Sequence, residues 1–146
     1  MTKPVAIVTG GSRGVGAEVS ILLAKKGWNL AITCSSSMDA AKEICQDCET
    51  HGAETIVIQA DVSQPDLCAK TVKDTIDKFG KLDALINNAG TTKFNAHDNL
   101  EGLSKDDFLG LYAINTVGPY MMIKESREYL AKSANPSVVN LSLIHI

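Results

Sequence analysis

Short apolar runs rich in β-branched residues alternate along this chain with stretches whose apolar residues recur at helical spacing. That alternation constrains the fold more than any other feature. The first run, Val5-Ala6-Ile7-Val8, is continuously apolar, as expected of a strand buried on both faces. Residues 30–33, 55–58, 82–86 and 138–139 repeat the pattern. After the first run, Val15, Val19, Leu22, Leu23 and Lys26 make a helical stripe with a basic last turn, and Gly27 follows as a C-cap. A second helix is expected over residues 38–51, closed by Gly52, and a third carries Leu67, Val72, Ile76 and Phe79. Ser63-Gln64-Pro65 introduces that third helix and Gly80 closes it. The longest pattern, residues 104–132, opens with Ser104 as cap and an acidic first turn. Within it, Gly118-Pro119 is expected to kink the helix or admit a close neighbour. Strand–helix–strand repetition with apolar strands implies an α/β fold, a doubly wound parallel sheet of about five strands covered on both faces.

Composition narrows the function classes. At 146 residues the chain can bury one core, and with aromatics at 5% that core must be aliphatic. A net charge of −3, with Lys and Arg scattered, predicts no nucleic-acid partner. No apolar run approaches the ~18 residues of a spanning helix, and no signal-peptide pattern opens the chain. No membrane partner and a cytoplasmic location are therefore expected. Cys34, Cys45, Cys48 and Cys68 do not form a disulfide framework for a chain of this class. Cys45-Gln46-Asp47-Cys48 has C-x-x-C spacing but falls inside a helical pattern without further ligands. It is expected on a helix surface, and no metal site is expected.

The chemistry concentrates where the first strand meets the first helix, in Thr9-Gly10-Gly11-Ser12-Arg13-Gly14-Val15-Gly16. Gly10 suits a tight turn, Gly14 a close backbone approach to a pyrophosphate, and Gly16 close helix–strand packing. The helix N-terminus offers unpaired N–H groups and positive potential to phosphates. A glycine string alone is weak evidence; at the first strand–helix junction of a repeating α/β chain it is strong.

Thr9-Gly10-x-x-x-Gly14-x-Gly16 resembles the cofactor fingerprint of the short-chain dehydrogenase/reductase family; at Arg13 and at residues 33–37 the chain is similar to that family's acyl-carrier-protein reductases. The resemblance implies a Rossmann-type sheet, here incomplete, and a nicotinamide cofactor contacted by Thr9, Gly10, Ser12, Arg13, Gly14, Val15 and Gly16. Asp61-Val62 matches the acidic element that family members place against the adenine. Asn87-Asn88-Ala89-Gly90 matches an element that supports the central sheet and lies along the cofactor, through Asn88, Ala89 and Gly90. Asn115 matches the asparagine of the catalytic tetrad, whose main-chain carbonyl holds a water in the proton relay. Read without the resemblance, Asp61 is a strand-end turn former and Asn115 a helix-surface polar residue.

The second expected strand ends Thr33-Cys34-Ser35-Ser36-Ser37, with no carboxylate before Asp39. A carboxylate there ordinarily accepts the ribose hydroxyls of the cofactor lacking a 2′-phosphate. The hydroxyls of Ser35 and Ser36, with the guanidinium of Arg13, suit a phosphomonoester instead, so NADP(H) is expected over NAD(H).

The resemblance also places a catalytic serine after the fifth strand and a Tyr-x-x-x-Lys beyond it, the tyrosine acting as acid/base. Tyr112, Tyr120 and Tyr129 are read as having no lysine four residues on, and all precede that strand, so the catalytic Tyr and Lys are expected to be absent. In the serine register stand Ser142, one residue early, and Leu143. Residues 141–146, Leu-Ser-Leu-Ile-His-Ile, match the translation of a common transposase adapter. Residues 1–140 are therefore expected to be the N-terminal part of one dinucleotide-binding domain, and 141–146 a non-native tail.

The implied activity of the full-length form is hydride transfer between NADP(H) and a carbonyl or alcohol, with a homo-oligomeric assembly. The fragment is expected to be inactive and to expose its fifth strand as an apolar edge. The alternatives are a non-catalytic NADP(H)-binding regulator and a sugar-nucleotide epimerase, whose glycine spacing fits less well. His97 and Asp98, in the irregular stretch 89–103, read as ordinary loop polars.

Overall fold

A computed structural model describes residues 2–142. Five parallel strands, β1 (Val5–Val8), β2 (Asn29–Cys34), β3 (Thr55–Gln59), β4 (Ala84–Asn87) and β5 (Ser137–Asn140), lie in the order β3-β2-β1-β4-β5. The helices are α1 (Gly14–Lys25), α2 (Met38–Thr50), α3 (Pro65–Phe79), α4 (Lys105–Tyr112) and α5 (Gly118–Leu130). The expected doubly wound sheet is present. Its strand order reverses at β1, so the chain leaves β1 and β4 toward opposite faces of the sheet, the place where such sheets bind ligands.

Because strand side chains alternate, each strand feeds two cores. Ala6, Val8, Leu30, Ile32, Ala84 and Ile86 pack on the face covered by α1 and α2. Ile7, Ala31, Ile58 and Leu85 pack on the face of α3 and α5. All four residues of β1 are buried, which explains its unbroken apolar run.

The helices depart from their expected stripes. In α1 the buried residues are Gly16, Ala17, Ser20 and Ala24, while Val15 and Leu22 are more than half exposed. Small residues win because α1 must sit close to the sheet for its N-terminus to meet the loop after β1. The Ser20 hydroxyl, fully buried, donates to the Gly16 carbonyl at 2.8 Å. In α3, Thr71 and Thr75 are buried by the same device, donating to the Leu67 and Thr71 carbonyls. Leu67, Ile76 and Phe79 flank the core instead of filling it. Gln64 is the N-cap and Pro65 stands in the first turn, as expected of Ser63-Gln64-Pro65.

The cysteine pair corrects the surface expectation. Cys45 and Cys48 form, with Ala41, the buried face of α2. Burial pushes both thiols upward, Cys48 to about 12, so they act as small hydrophobes.

The expected long helix is two helices joined by a π-helical turn, Ala113–Val117, in which the Gly118 N–H reaches the Ala113 carbonyl five residues back. Pro119 lacks the N–H that an α-helical ladder would aim at the Asn115 carbonyl, so the extra residue is accommodated there. Gly118 admits the close neighbour: a Cβ on it would stand 2.8 Å from the Val62 Cγ2. Ser104 caps α4 in a reciprocal capping box with Asp107. β5, at the sheet edge, is exposed along its length.

Candidate functional site

A cleft of about 530 Å³ lies over the carboxyl ends of the strands, between the loops after β1, β2, β3 and β4. Gly10, Ser12, Arg13, Gly14 and Val15 form one wall, and Ser35 and Ser36 another. Asp61 and Val62, then Asn88, Ala89 and Gly90, complete the lining. Most of the residues expected at a cofactor site therefore meet around one space.

The loop after β1 is held from both sides. The Gly11 N–H donates to the Thr33 carbonyl at 2.9 Å, and the Gly10 N–H to the Thr33 hydroxyl at 3.3 Å. Thr9, almost fully buried, lies beneath the cleft and not in its lining. Its hydroxyl accepts from the Asn88 and Ala89 N–H groups, both at 3.0 Å. The Asn88 amide in turn donates to the Thr9 and Gly10 carbonyls, at 2.9 and 3.0 Å. Thr9 and Asn88 thus spend their side chains on locking two loops together.

The three fingerprint glycines do different work. Gly10 has φ +63°, and a Cβ there would stand 2.9 Å from the Ala89 Cα. Gly16 is buried outside the lining; a Cβ there would overlap the Asn88 amide and lie 2.5 Å from the Gly10 carbonyl. Gly14 has φ +55° with nothing within 4 Å of its would-be Cβ. Gly14 faces open space where a ligand can approach.

Arg13 precedes α1 in extended conformation, and no side chain among the described residues caps the helix. The first helical bond runs from Ala17 to the Arg13 carbonyl, so the N–H groups of Gly14, Val15 and Gly16 have no intrahelical acceptor. No acidic residue stands in that first turn. The arrangement is unfilled donors at the positive end of a 12-residue helix, beside a guanidinium that no carboxylate of the described residues pairs. It fits an anionic diphosphate.

Asp61, in the cleft lining, accepts the Ser63 N–H at 2.9 Å, an Asx turn that shapes the loop after β3. Cys34, which the sequence reading passed over, also lines the cleft, and burial raises its thiol. Asn115 lies outside the lining, yet its side chain is not an idle surface amide. It accepts the Thr91 N–H at 2.9 Å and donates to the Thr91 carbonyl at 2.8 Å, gripping the loop that follows β4. That two-point contact is invisible in sequence because 24 residues separate the partners. Ser142, exposed beyond β5, is not part of the cleft, and Leu143 falls outside the described residues.

The sequence profile of the family described as short chain dehydrogenase matches residues 4–145. The chain belongs to the short-chain dehydrogenase/reductase family. It is 31% identical over 139 residues to the 3-oxoacyl-(acyl-carrier-protein) reductase FabG of Staphylococcus epidermidis, covering 95% of this chain and 56% of the relative. A short-chain dehydrogenase/reductase from Burkholderia xenovorans superimposes with TM-score 0.93 at 33% identity, over 99% of this chain and 61% of that one. An alcohol dehydrogenase from Thermococcus sibiricus, solved with 5-hydroxy-NADP, matches with TM-score 0.85 at 28% identity, over 94% and 57% of the two chains. The chain thus spans about half the length of the curated relatives it matches.

For a short-chain dehydrogenase, one feature of this segment needs correction. A Tyr-x-x-x-Lys spacing is present, at Tyr120 and Lys124, but ahead of β5 and not beyond it. Met122, Ser126 and Leu130 form the buried stripe of α5, so Tyr120, 62% exposed, projects from the opposite side. Neither residue lines the cleft.

Proposed function

We propose that this chain is the coenzyme-binding part of an oxidoreductase that moves a hydride between NADP(H) and a carbonyl or alcohol, with NADP(H) preferred over NAD(H). The observation that carries the reading is the start of α1, which no side chain of the described residues caps and where no carboxylate among them pairs Arg13, with open space at Gly14. The N–H groups of Gly14, Val15 and Gly16 would hold the diphosphate. Arg13 with the hydroxyls of Ser35 and Ser36 would receive the 2′-phosphate, where a carboxylate would favour the bare ribose. Asp61 and Val62 would face the adenine, and Ala89 and Gly90 would run beside the coenzyme. The coenzyme, once bound, would supply the hydride. The chain's own part is to orient it and to fix the loop at Thr91 through Asn115. The Thermococcus relative, a complex with an NADP analogue, and the reductase named among the curated relatives support this assignment. With Tyr120 and Lys124 outside the cleft lining, residues 1–146 are proposed to bind coenzyme without turning it over.

Calorimetric titration of the purified chain with NADPH and NADH tests the preference. Tighter binding of NADPH, by about tenfold for one guanidinium–phosphate contact, is expected; equal or tighter binding of NADH would overturn it.

A further inference from the structure

Gln59 ends β3, an edge strand, and stands in register with Cys34 at the end of β2. It is exposed, so no core packing accounts for its orientation. Its Nε2 donates to the Ser35 carbonyl at 3.0 Å, and the neighbouring Ala60 N–H donates to the Cys34 carbonyl at 2.9 Å. Two successive carbonyls leaving β2 are therefore tied to the end of β3.

Immediately afterwards the chain makes an inverse γ-turn. Ser37 has φ −87° and ψ 63°, and the Met38 N–H reaches the Ser36 carbonyl at 3.0 Å. α2 begins there, with no side-chain cap among the described residues. Ser35 and Ser36 line the cleft, whereas Gln59 lies outside its lining.

A trans peptide is planar, with its C=O and N–H pointing in opposite directions. Fixing the Ser35 carbonyl toward Gln59 therefore aims the N–H of the same peptide, on Ser36, away from Gln59. That N–H has no acceptor among the described residues. We propose that Gln59 is a positioning residue for coenzyme discrimination: it holds the Ser35–Ser36 peptide so that the Ser36 N–H and both hydroxyls present themselves to the phosphomonoester of NADP(H). The proposal rests on the NADP(H) reading above and adds to it a residue outside the cleft that sets how strongly the 2′-phosphate is recognised.

The test compares NADPH and NADH affinities of the wild-type chain with those of Gln59→Met, which keeps length and removes the donor. Adenosine 2′,5′-bisphosphate and 5′-AMP serve as probes that differ only in the 2′-phosphate. Loss of one net hydrogen bond's worth of order predicts that the NADPH/NADH affinity ratio falls about fivefold, with NADH and 5′-AMP affinities unchanged. Gln59→Glu, which sets an acceptor against the Ser35 carbonyl, is expected to lower the ratio further. Arg13→Ala lowers the same ratio directly and serves as the reference. A wild-type preference for NADPH that survives intact in Gln59→Met overturns this inference and leaves the coenzyme reading standing. An equal weakening of both coenzymes also overturns it, because that is the mark of a merely structural role. A wild-type chain that binds neither coenzyme overturns both.

Discussion

The two ends of the sheet carry cavities of nearly equal size, about 530 Å³ over the carboxyl ends and about 510 Å³ at the amino ends. At the amino ends, Trp28, Tyr129, Lys81 and Lys132 surround the buried carboxylate of Asp83. That carboxylate is fully engaged: it accepts from the Val5 N–H at 2.9 Å and the Ser133 hydroxyl at 2.7 Å, and pairs with Lys81 at 3.0 Å. It ties the entrances of β1, β4 and β5 together. At the carboxyl ends the side chains of Thr9, Asn88 and Asn115 are likewise spent internally, but the main-chain donors at the start of α1 are not. Size does not separate a structural hollow from a ligand site; unspent donors do.

Single substitutions can break this comparison. The largest effect is expected from Gly16→Ala, whose methyl would press on the Gly10 carbonyl and the Asn88 amide, both main supports of the loop. Thermal unfolding should show a loss of about 2–3 kcal/mol, and coenzyme affinity should fall more than tenfold. Asp83→Ala is next. Removing a buried acceptor with three partners should lower stability by about 2 kcal/mol while coenzyme affinity stays within twofold of wild type. If it abolished binding instead, the two ends would not be separable.

Gly14→Ala sharpens the contrast within the loop itself. Its methyl meets nothing, so only the left-handed backbone is penalised, by about 1 kcal/mol, yet the added bulk points into the cleft. Coenzyme affinity should therefore suffer more than stability, the reverse of Asp83→Ala. A smaller effect is expected of Asn115→Ala, about 1 kcal/mol or less from an exposed contact, read as faster amide exchange at Thr91.

Acid should weaken both ends unequally. Burial opposes ionisation of Asp83, but the Ser133 hydroxyl, the Val5 N–H and Lys81 outweigh it and hold the carboxyl below its usual range. On α4, Lys93 and then the Ser104 cap lower Asp107 to about 2. Groups lowered in the folded state stabilise it above their unfolded pKa and stop doing so as pH falls through the folded value. Stability should thus be flat above about pH 5 and decline toward pH 2, and Asp83→Asn should flatten that decline. An unchanged acid limb in Asp83→Asn would place the sensitivity elsewhere.

Much of this was legible in the sequence. The apolar runs located all five strands; β1, β2 and β4 are buried along their length, so no polar alternation obscures them, while β3 and β5 kept the pattern at the sheet edges. β4 begins at Ala84, later than its run, although the Asp83 main chain still bonds the Val5 carbonyl and the Ser137 N–H at the sheet entrance. The glycine loop was readable because its spacing reflects backbone geometry. What escaped were features set by distant partners. α1 buries small residues where large ones were expected, because the loop pulls it close to the sheet. Cys45 and Cys48 face the core, since a C-x-x-C spacing on a helix says nothing of which side is buried. The π-helical turn at residues 113–117 and the grips of Asn115 on Thr91 and of Gln59 on Ser35 left no local pattern to read.

The account depends most on the main-chain donors at the start of α1. The direct measurement is an amide-resolved NMR titration of the chain with NADP+. The largest shifts are expected at Gly14, Val15 and Gly16, followed by Ser36, with the amides around Asp83 unmoved. Saturable shifts confined to the amino-end cavity, or none at Gly14–Gly16, would contradict it.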